Sequence, residues 1–287
     1  MGRVLVPPRF LASAMEASSS FVACDDDVIL ASSMKTGTTW LKALIPCIMN
    51  PNSGGECSDD DDDPLTESHP NMLMPSVEIQ IYGENSTCSV SDMPSPRLFR
   101  THLPYPTLPE TIKTSTCKVV YITRNPKDAF VSLWHFLNTF KTAEEGPAPI
   151  DEPFELFSNG VHPFGPFHDH VLGYWKESLK RPEKILFLKY EEMKTDPRGE
   201  VKKLASYLGR PFDKEEEVDE VLWRCSLERL KNLEVNRKGF DPWVGAPKSS
   251  YFRLGVVGDW KNSLSEDKKD RLDEITSMKL EGSGLEL

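Results

Sequence analysis

The chain has 287 residues and a net charge of -11, an acidity that excludes a broadly basic surface for nucleic acid or anionic membrane, so any anionic ligand needs a locally basic pocket. Its hydrophobic fraction of 38% and charged fraction of 28% are those of a globular protein with a sizeable core. No apolar run reaches the roughly 18 residues of a membrane span. Six cysteines lie scattered without a Cys-x-x-Cys pair or a neighbouring His pair, which points to neither a zinc site nor a disulfide framework and fits a reducing compartment.

In chain order, Met1, Gly2 and Arg3 followed by Val4, Leu5 and Val6 loosely mimic a secretory signal. Pro7, Pro8 and Arg9 break that apolar region and Glu16 counts against a transit peptide, so no targeting segment is expected. Residues 11–23 predict a weak helix. The apolar run from Val28 to Ala31 predicts a buried strand, Lys35-Thr36-Gly37-Thr38-Thr39 a turn, and Trp40 to Ile45 the opening of a helix. Strand, small-residue turn and helix form an anion-binding arrangement, because the first helical amides have no internal partner and Gly37 admits close approach. A Walker A loop is excluded, since Lys35 precedes the only glycine; an ordinary capped helix with Lys35 in solvent remains open at this point.

The five aspartates 59–63 predict a solvated loop. Residues 77–82 are a short helix or a strand, and Arg97 to His102, hemmed in by prolines, is a short strand running into a loop. Lys118 to Thr123 is the clearest strand. Arg124-Asn125-Pro126-Lys127-Asp128 turns it into a helix over 129–140, with Phe130, Leu133, Trp134 and Leu137 spaced for one buried face. Further on come a helix over 168–180, a strand over 185–189, a helix over 198–208 closed by Gly209, helical patterns over 215–232, a loop or cover over 236–250 and a terminal helix over 265–280. The alternation predicts an α/β fold, a central mainly parallel sheet flanked by helices, with ligands bound beyond the carboxyl ends of the strands.

Three predicted strands end in cations or a base: Lys35, then Arg100 and His102, then Arg124. A magnesium-dependent kinase, the competing reading, places a metal-holding Asp where this chain has Arg124. Together these segments resemble the cytosolic sulfotransferase family, and specifically its plant members, from about residue 21 to the C-terminus. Lys35-Thr36-Gly37-Thr38-Thr39-Trp40 is similar to the family's loop for the 5'-phosphosulfate of 3'-phosphoadenosine 5'-phosphosulfate (PAPS). Arg124 to Asp128 with Ser132 looks like its 3'-phosphate motif, Arg100 to Pro104 like the segment bearing the base, and Tyr190 in Leu188-Lys189-Tyr190-Glu191-Glu192 like an adenine contact. Arg253-Leu254-Gly255 through Asn262 resembles the second 3'-phosphate segment.

The resemblance implies a single sulfotransferase domain over 21–287, preceded by a variable segment over 1–20. It implies sulfuryl transfer from PAPS, without metal, to a hydroxyl of a small hydrophobic acceptor such as a flavonoid, phenol or steroid-like molecule, leaving adenosine 3',5'-bisphosphate (PAP). His102 is the implied base and Lys35 the implied cation at the leaving oxygen. Lys35, Thr36, Gly37, Thr38 and Thr39 are implied to hold the 5'-phosphosulfate, Trp40 and Tyr190 the adenine, and Arg124, Ser132, Arg253 and Gly255 the 3'-phosphate; Trp40 also suits an ordinary core position. A cytoplasmic monomer without nucleic-acid or membrane partners is expected.

Departures from the family are specific. Leu254 stands where a Lys is usual, which removes a cation expected to carry about tenfold to a hundredfold in donor affinity. Met34 replaces a common proline, residues 1–20 do not resemble the longer family N-terminus that helps wall the acceptor pocket, and Ser265-Glu266 stands at the Thr-Val of the dimer signature. These leave a second reading, a weak or inactive family member that binds nucleotide or ligand.

Overall fold

A computed structural model describes residues 6–50, 63–84, 90–142 and 144–287. The acidic residues 59–62, together with Cys57 and Cys88 and the first five residues of the signal-like stretch, lie outside the described residues. Four strands, β1 (Val28–Ser32), β2 (Leu98–Thr101), β3 (Lys118–Thr123) and β4 (Ile185–Lys189), form one parallel sheet in the order β2-β1-β3-β4. Register pairs Leu30 with Arg100 and with Val120, and Ile122 with Leu188.

Both faces of the sheet are covered, which is why its strands read as continuous apolar runs. Alternation sends Val28, Leu30, Val120, Ile122 and Leu188 into one cluster, with the helices Thr38–Met49, Pro197–Tyr207 and Glu215–Arg224. Ile29, Ala31, Phe99, Val119 and Tyr121 join the opposite cluster, with the helices Leu11–Ser20 and Phe167–Lys180. From β1 the chain passes to β2 on one side, then crosses back to β3 on the other. That reversal opens a crevice at the carboxyl ends, where ligands of such sheets bind.

Several expectations are corrected in detail. Residues 77–82 are neither an ordinary helix nor a strand but a π-helical turn, Val77–Ile81. The helix after β3 is Pro126–Asn138, and it buries Phe130, Leu133 and Phe136 while Leu137 is exposed and Trp134 half-buried. Helical pattern 215–232 is two helices, broken at Cys225 and restarted where Ser226 Oγ accepts the Arg229 amide at 3.3 Å. Asp63 is not solvated: it is buried, with its carboxylate 2.8 Å from Arg224 and 2.7 Å from Arg229.

Candidate functional site

A cavity of about 560 Å³ lies beyond the carboxyl ends of the strands and is walled by residues following all four of them: Lys35, His102, Arg124 and Tyr190. Trp40, Tyr190, Leu227 and Gly255 stand together in its wall, as do His102 and Phe164, and Phe10 and Val244 line it too. Ser132, Arg253 and Leu254 also line it.

The turn after β1 is built for an open helix end. Lys35 and Gly37 both have positive φ, 67° and 113°, and Gly37 is the N-cap of Thr38–Met49. The first helical bond runs from the Trp40 amide to the Gly37 carbonyl at 3.0 Å, so the amides of Thr38 and Thr39 have no intrahelical partner. Thr36 does something else: its buried hydroxyl donates to the carbonyls of Ser33 (2.8 Å) and Ile122 (3.0 Å), tying the turn to β3, and its side chain is not part of the cavity wall. A Cβ at Gly37 would stand 2.9 Å from both Ile122 and Tyr190, so Gly37 is also where the turn passes under the Tyr190 ring.

Lys35 Nζ lies 4.3 Å from the Phe136 ring centroid and 5.7 Å from that of Tyr251. Burial, followed by the charges of Arg253 and Arg124, lowers its pKa to about 7. Arg124 is buried; it donates to the Val256 carbonyl at 2.6 Å, sits over the Tyr190 ring at 4.6 Å and approaches Asp128 at 3.4 Å, yet its Nε has no hydrogen-bond partner. Arg253 is held 2.6 Å from Asp259. Asp128, part of the Arg124–Asp128 motif, accepts the amides of Gly258 (2.7 Å) and Trp260 (3.0 Å), and so fastens the segment bearing Arg253 and Gly255 to the helix that follows Arg124 and bears Ser132. Trp40 and Tyr190 meet edge to face, 5.9 Å between centroids. At Gly255 a Cβ would come 2.6 Å from Leu227, so this backbone closes directly onto the opposite wall.

His102 has a defined tautomer. Its Nδ1 lies 2.8 Å from the Ser32 carbonyl, an acceptor only, so Nδ1 carries the proton and Nε2 keeps its lone pair. Burial first, then the Arg100 charge, hold its pKa well below the usual histidine value against the raising effect of that hydrogen bond, so the ring is neutral at physiological pH. Its backbone is pinned from two sides, by Glu78 accepting the amide at 2.7 Å and His170 donating to the carbonyl at 3.0 Å, with Tyr121 2.9 Å from the other His170 nitrogen. Glu78 and His170 carry no motif signal, because their roles depend on contacts with residues far along the chain.

Thus Lys35, Gly37, Thr38, Thr39, Trp40, His102, Arg124, Ser132, Tyr190, Arg253 and Gly255 all line one cavity, and Thr36 supports it from behind. Among the described residues no group of three or more His, Cys, Asp or Glu is placed to hold a metal ion. Leu254, half-exposed, presents an apolar surface to the cavity.

A family model described as a sulfotransferase domain matches residues 25–284. The chain is 45% identical over 280 residues to cytosolic sulfotransferase 5 of Arabidopsis thaliana, spanning 96% of this chain and 86% of that protein. Cytosolic sulfotransferase 6 of the same plant is 43% identical, over 97% and 85% of the two chains. Among solved structures, mouse sulfotransferase SULT7A1 complexed with PAP superposes with a TM-score of 0.74 at 26% identity, over 98% of this chain and 92% of that one.

Proposed function

The chain belongs to the sulfotransferase family, and we propose that it moves a sulfuryl group from PAPS to a hydroxyl of a small hydrophobic acceptor, with His102 as general base. The observation that carries this reading is the His102 tautomer: a neutral imidazole with its protonated nitrogen spent on the Ser32 carbonyl at 2.8 Å has one free lone pair, on Nε2, for the acceptor proton.

The remaining cavity residues fit a donor with two phosphate groups and an adenine. The amides of Thr38 and Thr39, which have no intrahelical partner, the Thr39 hydroxyl and Lys35 suit the 5'-phosphosulfate. The free Arg124 Nε, Ser132 and Arg253 suit the 3'-phosphate, and the Trp40 and Tyr190 rings suit the base. PAPS supplies the sulfuryl group, whose bond to the 5'-phosphate oxygen breaks as its bond to the acceptor oxygen forms. Lys35 stands where charge grows on the departing oxygen, and His102 Nε2 takes the proton from the acceptor hydroxyl. Apolar walls from Phe10, Phe136, Phe140 and Phe164 support a hydrophobic acceptor body. The names of the Arabidopsis relatives support a cytoplasmic location, and the unmatched dimer signature supports a monomer.

Transfer of labelled sulfate from PAPS to a panel of phenols, flavonoids and sterols tests the reading. Transfer is expected for at least one class, with a loss of about 10²–10⁴-fold in His102→Ala. Unchanged activity in that variant removes His102 as base, and tighter calorimetric binding of ATP than of PAP removes the donor assignment. Leu254 favours the second reading, a binding protein of the same family; PAP binding without transfer to any acceptor is its signature.

A further inference from the structure

The cavity wall beside His102 holds two buried cations that the proposed chemistry does not use. Arg100, at 4% exposure, lies two residues before His102 on the same face of the β2 end, and Lys42, at 3%, comes from the Thr38–Met49 helix; both line the cavity. Neither forms an ion pair among the described residues. Arg100 gives one guanidinium nitrogen to Gln80 Oε1 at 3.2 Å and leaves its buried Nε without a partner. Lys42 Nζ donates to Asn71 Oδ1.

The nearby carboxylates are engaged elsewhere. Asp241 accepts Asn71 Nδ2 at 2.5 Å and the Tyr251 hydroxyl at 3.2 Å, together with the amides of Trp243 and Val244 at 3.0 and 2.9 Å. Glu78 accepts the His102 amide. The two cations also repel one another: burial and then the Arg100 charge push Lys42 well below the usual lysine value, against the smaller raising effect of the Asp241 charge. An unpaired guanidinium nine-tenths buried is costly unless something of opposite charge arrives.

We propose that the acceptor carries a carboxylate besides its hydroxyl, and that Arg100 and Lys42 receive that carboxylate while the hydroxyl faces His102. The planar Arg100 fork, with one nitrogen held by Gln80 and Nε free, matches a carboxylate in its plane, and Lys42 adds a point charge from the neighbouring helix. Phe164, against the His102 ring, and Ile79 also line the cavity, so the rest of the acceptor remains apolar. This inference rests on the sulfotransferase reading and specifies its substrate class.

The test compares 3-(4-hydroxyphenyl)propanoate with its uncharged amide, which share the phenol and differ in the anion. In the wild-type chain with saturating PAPS, kcat/KM is expected to be at least tenfold higher for the acid, and in Arg100→Gln the ratio is expected to fall toward one. Lys42→Gln, which can still bond Asn71, is a second variant and is expected to lower the ratio as well. A wild-type ratio at or below one overturns the proposal, as does a ratio that both variants leave unchanged. The latter would mean that these cations act on the migrating sulfuryl group, slowing acid and amide alike. Absence of transfer to either compound and to the wider phenol panel instead defeats the sulfotransferase reading itself, so the two failures are distinct.

Discussion

Lys35 is placed by its backbone as much as by its charge. A lysine at φ 67° is uncommon, and here the left-handed turn sets the side chain across the Phe136 ring rather than into solvent. With its pKa lowered to about 7, first by burial and then by Arg253 and Arg124, the empty protein holds Lys35 about half charged at neutral pH. A 5'-phosphate favours the charged form and raises that pKa, so binding takes up a proton above pH 7. The sign follows: affinity for PAP falls as pH rises, by up to about tenfold per unit from 7 to 9, a range where phosphate groups with a second pKa of about 6 no longer titrate. Calorimetry at pH 8 in two buffers of different ionisation enthalpy should report uptake approaching one proton, lost in Lys35→Met; equal heats in both buffers would contradict the assignment. Lys35 was legible in the sequence because its motif is contiguous. Arg100 was visible as a cation after a strand, in the segment bearing the base and able to assist at the sulfonate, and Lys42 not at all; that neither forms an ion pair among the described residues is a property of packing and not of spacing.

At the scale of elements, the strand-turn-helix units were readable because each is local: an apolar run, a turn with the residues its dihedrals require, a capped helix. Asn125, accepting the Lys127 amide at 3.1 Å before Pro126, starts its helix as the pattern predicts. The π-helical turn Val77–Ile81 was not readable, because its reason is tertiary: it sets Glu78 under the His102 amide. Within the β1 turn, Gly37→Ala combines two penalties, a positive φ and a Cβ 2.9 Å from Ile122 and Tyr190. The φ penalty alone is about 1–2 kcal/mol. Gly209 offers the control, with φ 75° and nothing near its Cβ. Both variants are expected to melt lower, by about 2–8 °C, in thermal scans. Only Gly37→Ala should also weaken PAP, because only there does the new methyl displace Tyr190 from the cavity wall. Equal PAP affinity in wild type and Gly37→Ala would show that the turn does not shape the donor end.

Across the whole molecule, the sheet is specified by local runs while its closure depends on polar pairs between distant residues, which no periodicity announces. Asp27 meets Arg97 at 2.5 Å, Asn71 meets Asp241, and Asp63 meets both Arg224 and Arg229, across separations of 70, 170 and 161 residues for the first bond of each. The aspartate run reads as solvated on composition, yet its last member, Asp63, is buried against Arg224 and Arg229. Asp63 also sets the donor end indirectly, since Arg224 and Arg229 flank Cys225 and Leu227 in the cavity wall. Burial pushes its carboxyl pKa up, but the Arg224 hydrogen bond and the Leu65 amide outweigh that and hold it below the ordinary value. A depressed folded pKa contributes stability that is present above the unfolded value of about 4 and lost as pH falls through the folded one. Asp63→Asn removes the carboxylate that the two guanidiniums share and is expected to cost about 3 kcal/mol, or about 6 °C in melting midpoint at pH 7. The gap to wild type should stay constant from pH 5 to 8 and narrow below about pH 4. PAP at a hundred times its Kd would add about 2.7 kcal/mol to either protein, so saturating ligand should recover much of the lost midpoint. Matching midpoints for the two proteins at pH 7 would mean that the Asp63 pairs contribute nothing to closing the fold.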